Sequence, residues 1–192
     1  DRITRFAYNN LNQVVATVDG VGMLSKYRYD TFGNRIESIA YAKPVTVWPN
    51  PINADTSTTP DSSNDRVTRV AYDANNRAVL DIDSLGGVTQ RVYDALGNLS
   101  KSKRYANPVA MNNLPAQITA ANIGLQADAA RDRTERTIFD KVGRATFSID
   151  SEGFVKQFQY DALGRVRQSW QYTKPNTVAS PNTISDTDLA NR

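Results

Sequence analysis

Histidine and cysteine are both absent from this 192-residue chain. Without histidine there is no general base titrating near neutral pH, and the commonest metal ligand is missing. Without cysteine there are no thiol nucleophiles, no zinc sites with sulfur ligands and no disulfide staples. A zero cysteine count fits an oxidising or a reducing compartment equally. No apolar run approaches the roughly 18 residues that a membrane-spanning helix needs. The chain opens Asp1-Arg2, with no basic segment leading into an apolar core, so the expectation is a stretch of a longer protein. Its 23 Lys and Arg are interspersed with 20 Asp and Glu, which leaves a net charge of +3 and no basic stripe for nucleic acid. These absences exclude most catalytic classes, and the reading assigns no catalytic residue, cofactor or metal.

What is present argues for a fold. Hydrophobic residues make up 40% of the chain, with 9 Tyr, 6 Phe and 2 Trp, richer than a disordered polymer would be. The chain also repeats itself. Tyr29-Asp30-Thr31-Phe32-Gly33-Asn34 recurs as Tyr93-Asp94-Ala95-Leu96-Gly97-Asn98 and as Tyr160-Asp161-Ala162-Leu163-Gly164-Arg165. A sister series lies 21 residues earlier in each case: Tyr8-Asn9-Asn10-Leu11-Asn12-Gln13, Tyr72-Asp73-Ala74-Asn75-Asn76-Arg77 and Phe139-Asp140-Lys141-Val142-Gly143-Arg144. Tyr41, Tyr105 and Tyr172 follow each later copy, and Pro44, Pro108 and Pro175 come three residues after those. Starts align at Arg2, Arg66 and Arg133, which divides the chain into units 1–65, 66–132 and 133–192.

Asp-x-x-Gly between β-prone runs prescribes a turn. The aspartate accepts hydrogen bonds from nearby backbone N–H groups, and glycine supplies the positive φ of a three-residue hairpin loop with a bulge. Asn12 and Asn76 replace glycine in two copies, and asparagine is the residue that best tolerates left-handed backbone after glycine. A second turn sits between paired copies: Asp19-Gly20-Val21-Gly22, Asp83-Ser84-Leu85-Gly86 and Asp150-Ser151-Glu152-Gly153. Ala78, Leu80 and Ile82 alternate as in a half-buried strand. Each unit therefore reads as four antiparallel strands, near 2–8, 13–18, 23–29 and 34–41 in the first. Nine of ten Gly fall in turns and all eight Pro outside the expected strands, as a meander requires. Of the connectors, 44–64 and 175–191 read as irregular loops, while Ile118, Ile123 and the alanines of 116–131 allow a short amphipathic helix weakened by Gly124.

Several residues invite a sharper reading. The ring series (Tyr8, Tyr29, Tyr72, Tyr93, Phe139, Tyr160) could stack sugars, but recurrence in phase with the turns favours cross-strand packing. The acidic series (Asp30, Asp73, Asp94, Asp140, Asp161) could ligate calcium, but one carboxylate per turn does not supply six to eight oxygens. Together with Asn12, Gly33, Asn76, Gly97, Gly143 and Gly164 these form the expected structural turn motif. Arg77, Arg144 and Arg165 are expected in salt bridges to adjacent strands. Trp48, in a proline-rich loop and outside the repeat, is the candidate ligand contact. Loop serines have no histidine to activate them, which leaves only a remote Lys-assisted alternative.

Aromatic-Asp-x-x-Gly-Arg/Asn at this spacing resembles the YD repeats of Rhs proteins, of bacterial insecticidal toxin-complex shell subunits and of teneurins. The resemblance covers nearly all of the strand regions, with Tyr160 to Arg165 close to the family consensus. It implies an all-β fold in which tandem antiparallel hairpins form a spiralling sheet ribbon, closed as a shell or open as a solenoid, with long loops between units. It further implies a structural role on a secreted or cell-surface protein. Partners would be neighbouring repeats or identical subunits pairing edge to edge, with an enclosed toxin domain or surface glycans as the further possibilities. Toxin-type relatives end in a core domain with an aspartyl self-cleavage motif. Nothing here resembles its Asp-Pro followed by Gly, so no proteolytic residue carries over. The alternative function is a carbohydrate-binding adhesive module.

Overall fold

Strands and tight turns account for nearly all regular structure in the computed structural model, which describes residues 3–45, 52–53 and 56–173. The chain falls into two compact units, Asp1–Val88 with Asn107–Gln126, and Thr89–Ala106 with Ala127–Arg192. The first holds β1 (Arg5–Tyr8), β2 (Val14–Val18), β3 (Met23–Tyr29), β4 (Arg35–Pro44), β5 (Arg66–Tyr72) and β6 (Ala78–Ile82). These pair antiparallel in chain order. The second is built from β7 (Val88–Tyr93), β8 (Leu99–Arg104), β9 (Arg133–Phe139), β10 (Ala145–Ile149), β11 (Val155–Tyr160) and β12 (Val166–Gln171), again in chain order. The architecture is all-β: tandem hairpins with long connectors after β4 and β8.

Period-two patterning explains why these residues make strands. Along β2 the alternate residues Ala16 and Val18 are buried, and along β6 so are Leu80 and Ile82. The pairing slips register before each of the six repeated turns, next to Tyr8, Tyr29, Tyr72, Tyr93, Phe139 and Tyr160. That slip is the bulge which a three-residue loop with a left-handed fourth position imposes.

The core of the first unit is small. Ala7, Ala16, Val18 and Leu24 pack with Val45 and Ile52 from the connector after β4. Fully burying a side chain of the size of Val18 or Leu24 contributes about 1.5–3 kcal/mol. Val88, Val109, Ile118 and Ile123 are also buried in this unit, and Ile149 and Val155 in the second. Both connectors start alike. The Val45 N–H donates to the Gly22 carbonyl at 2.9 Å, and the Val109 N–H to the Gly86 carbonyl at 2.8 Å. A proline followed by a buried valine thereby seals the turn that it passes.

Two expectations are corrected. Pro44 lies within β4 as its last residue, opposite Met23 and beside a register slip, so its missing N–H removes no regular ladder bond. Residues 116–131 form turns, not a helix. The Asn122 side chain accepts from the Thr119 N–H at 2.7 Å and donates to the Gln117 carbonyl at 3.0 Å, while Gly124 sits at φ +67. Side-chain bonds of this kind offer the backbone an alternative to the helical ladder. Ile118 and Ile123 are buried nonetheless.

At Gly86 (φ +82) an added Cβ would overlap the Val109 carbonyl oxygen, whereas at Gly33 (φ +88) it would meet only the Gln13 side-chain amide, at 3.3 Å. Gly33→Ala is expected to cost about 1–2 kcal/mol from the left-handed backbone alone. Gly86→Ala should cost more, because the connector must also move. Urea unfolding midpoints of the two variants test the order; equal midpoints contradict the sealing role of Val109.

Candidate functional site

The residues that repeat all belong to one device. In each of the repeated turns, one oxygen of the acidic side chain accepts from the backbone N–H groups two and four residues on. For Asp30 these are Phe32 at 2.9 Å and Asn34 at 2.8 Å. For Asp94 they are Leu96 at 2.9 Å and Asn98 at 2.8 Å. The same pair of bonds forms at Asp73, Asp140 and Asp161. Asn9 makes it with its amide oxygen to Leu11 and Gln13. The turns at Asp19, Asp83 and Asp150 repeat it again. The fourth turn position is left-handed throughout the YD series: Asn12 at φ +60, Asn76 at +58, Gly33 at +88, Gly97 at +89, Gly143 at +81 and Gly164 at +78.

The second oxygen is also engaged. Asn34 Nδ2 donates to Asp30 and Asn98 Nδ2 to Asp94, both at 3.0 Å. In the other three copies the donor is a guanidinium: Arg77 to Asp73 at 2.8 Å, Arg144 to Asp140 at 2.7 Å and Arg165 to Asp161 at 2.8 Å. These arginines therefore bridge within their own turn, four residues along, where acidic residues on adjacent strands were the expected partners. The reason is reach: the bulge turns the fifth residue back over the carboxylate.

The rings anchor strands. Tyr29 donates its hydroxyl to the Val14 carbonyl at 2.8 Å, and Tyr160 to Ala145 at 2.7 Å, each across to the strand that follows the preceding turn. Arg144 stacks over the Tyr160 ring at 4.7 Å. Tyr72 reaches the Arg35 carbonyl at 3.4 Å. Tyr93 and Phe139 end β7 and β9 beside their bulges, while Tyr8 at the end of β1 is exposed. Trp48 lies outside the described residues. Among the described residues no three Asp, Glu, His or Cys side chains converge as a metal would require.

Three features escaped the sequence reading. The third turn position carries an exposed apolar residue again and again: Leu11, Phe32, Leu96, Val142 and Leu163. Their spacing was visible in the repeat, but their exposure was not. Asp65 and Asp132 clasp the connectors, accepting from the Ala42 and Ala106 N–H groups at 2.8 and 2.9 Å. The shared Asp-x-x-x-Asp-Arg string at 61–66 and 128–133 was the available signal. Finally, residues 115–119 fold over the first unit. Arg69 donates to the Pro115 carbonyl at 2.7 Å and Arg28 to Ala116 at 2.8 Å. A groove of about 460 Å³ is left there, lined by Phe32, Ile36, Tyr72 and Ile118 among others.

These features define a repeat scaffold of β-hairpins whose carboxylates are committed to its own backbone. No protein-family model matches the chain, and no curated protein is similar to it in sequence. Solved structures are similar in fold. A TcdB2-TccC3 chain is 18% identical, with a TM-score of 0.59 over 89% of this chain. A chain of the Photorhabdus luminescens Tc holotoxin pore gives 18% and 0.59 over 88%, and a TcdB2-TccC3-Cdc42 chain 17% and 0.61 over 89%. This chain spans 8% of each of them. The likeness is one of fold, and it falls on toxin-complex chains, one of the groups that the YD spacing resembles.

The carboxylates of Asp30, Asp73, Asp94, Asp140 and Asp161 sit below the usual aspartate range. Side-chain hydrogen bonds from Arg77 and Asn98 lead at Asp73 and Asp94, and backbone bonds from Arg144 and Arg165 lead at Asp140 and Asp161. At Asp30 burial pushes upward, and the bonds from Asn34, Phe32 and Gly33 outweigh it. Depressed carboxylates stabilise the fold above their unfolded value of about 3.9 and lose that contribution as pH falls through the folded values. Stability should therefore decrease as pH falls below about 4. Asp→Asn at residues 73, 94, 140 and 161 keeps the turn acceptor, as Asn9 does, and should flatten that slope in urea midpoints measured against pH. An unchanged slope would remove the carboxylates from the account.

Proposed function

We propose that this chain is a wall segment of a large Rhs/YD-repeat protein, a structural and not a catalytic element. The observation that carries this reading is the turn device: the same two-oxygen clasp recurs along the chain, and its carboxylates are used up in holding backbone. A group committed in that way is a poor acid, base or metal ligand. The further reading is that the ribbon helps to build a shell around a toxin domain in a secreted protein. It is supported by the fold likeness to toxin-complex chains and by the YD spacing. Its partners are then neighbouring repeats or identical subunits, added at strand edges. Strand edges carry backbone groups that invite such pairing.

The sequence period of the array, residues 1–65, 66–132 and 133–192, is proposed as its building unit. Units in such arrays depend on neighbours for burial. A peptide of residues 66–132 alone should show no cooperative thermal transition by circular dichroism, while the full chain should. A cooperative, stable single unit contradicts the proposal.

The second reading, an adhesive glycan-binding module, has two footholds: Trp48, and the exposed ring of Phe32 at the groove in the first unit. Glycan-array binding that is lost in both Phe32→Ala and Trp48→Ala would favour adhesion. The wall reading expects no such binding.

A further inference from the structure

The two connector-flanked strand pairs, β4 with β5 and β8 with β9, share one register. Glu37 faces Arg69 in the first, and Lys101 faces Arg136 in the second. Each pair is followed by the same ladder, Ser38 with Thr68 and Ser102 with Glu135. In the first pair the charges match. Arg69 Nη2 lies 2.6 Å from Glu37 Oε2, and Arg28 Nε lies 3.3 Å from Oε1, so one carboxylate serves two guanidiniums.

In the second pair lysine stands where that glutamate stood, and two cations lie directly opposite each other. Like charges in that relation destabilise a sheet. Their surroundings offer little relief. Val92 is opposite Lys101 on β7, and Ile149 is opposite Arg136 on β10. Lys103, two residues along the same face, is already paired with Asp132 at 2.9 Å and lies over the Tyr105 ring at 4.4 Å. Arg69 Nε and Arg136 Nε are both buried without a partner, but Arg69 has the Glu37 carboxylate, whereas among the described residues no hydrogen bond or ion pair reaches Lys101 or Arg136. Burial, and then the charges of Arg136 and Lys103, hold the Lys101 ammonium below the usual lysine range. A half-buried guanidinium without a counter-charge is costly, and planar bidentate carboxylates are its best-matched partner.

The geometry points to a carboxylate-binding site at Lys101 and Arg136, in which an acidic group not bonded to either strand takes the part that Glu37 plays against Arg69. The carboxylate comes from a separate molecule that carries a carboxyl group.

The test uses the full chain, with sodium acetate as the probe and sodium chloride at equal ionic strength as the control. Two quantities are read, the thermal midpoint and the Arg136 Nε–Hε resonance. If the site takes an external carboxylate, acetate raises the midpoint in a saturable way and moves the resonance, and chloride does neither. Lys101→Glu, which supplies the carboxylate from the strand itself, should raise the midpoint and abolish the response to acetate. The proposal is overturned if the Arg136 resonance of the native chain follows acetate no more than chloride. That readout stands even where Lys101→Glu fails to fold.

Discussion

A chain that reverses direction every few residues exposes backbone N–H groups at each reversal, and those groups must find acceptors. Here one side-chain oxygen, a carboxylate's everywhere but at Asn9, takes two of them at every repeated turn, for example Asn75 and Arg77 at Asp73. The rest of the structure depends on this clasp. It fixes the left-handed residue, the left-handed residue sets the bulge, and the bulge sets which side of the sheet the next strand presents. With no cysteine for a disulfide and, among the described residues, no long helix and a core of short aliphatic residues, the turns and the strand ladders they align carry the register. The second oxygen then determines what may follow: Asn34 and Asn98 reach it as amides, and Arg77, Arg144 and Arg165 as guanidiniums. Two chemically distinct residues alternate at that position because both can donate to a carboxylate four residues behind.

How much could be read from the sequence follows the range of each interaction. The turns are contained within five residues, so Asp30 to Asn34 disclose their geometry in the letters alone, and Asn12 and Asn76 disclose it through the one property that they share with glycine. The strand positions follow from the turns. What lies further apart was hidden. The partners of Arg77, Arg144 and Arg165 were misassigned because the back-reach of a bulged turn is a matter of backbone direction, which residue spacing does not encode. The connector at 116–131 looked helical because its alanines and paired isoleucines favour a helix. The side chain of Asn122 and the carbonyls taken by Arg28 and Arg69 hold it otherwise. The contacts of those arginines with Ala116 and Pro115 span 88 and 46 residues, and no local pattern announces them.

The turn clasp also separates two kinds of position within a repeat. Turn residues answer mainly to their own turn, so they recur almost unchanged, although Asn34 Nδ2 also donates to Asn76 Oδ1 at 2.8 Å. Residues on the sheet face answer to whatever covers them, and there the copies diverge. Arg28, Glu37 and Arg69 form one ion-pair cluster, and the two arginines donate to the carbonyls of a connector folded over them. The corresponding positions of the next repeat hold Val92, Lys101 and Arg136, a different surface on the same ladder. The exposed apolar residues at the tips, Phe32 and Leu163 among them, are a third class, retained in type although nothing within the turn requires them.

This division bears on how such a chain acquires specificity. A scaffold whose register is set at its turns can change face residues without changing its fold, because no turn bond passes through them. The substitution of lysine for glutamate at one register position leaves the β8–β9 ladder intact and yet reverses the sign of the charge presented to whatever lies above it. Individuality in an array of this kind is therefore carried by the faces and the connectors, and the repeated letters carry only the means of turning.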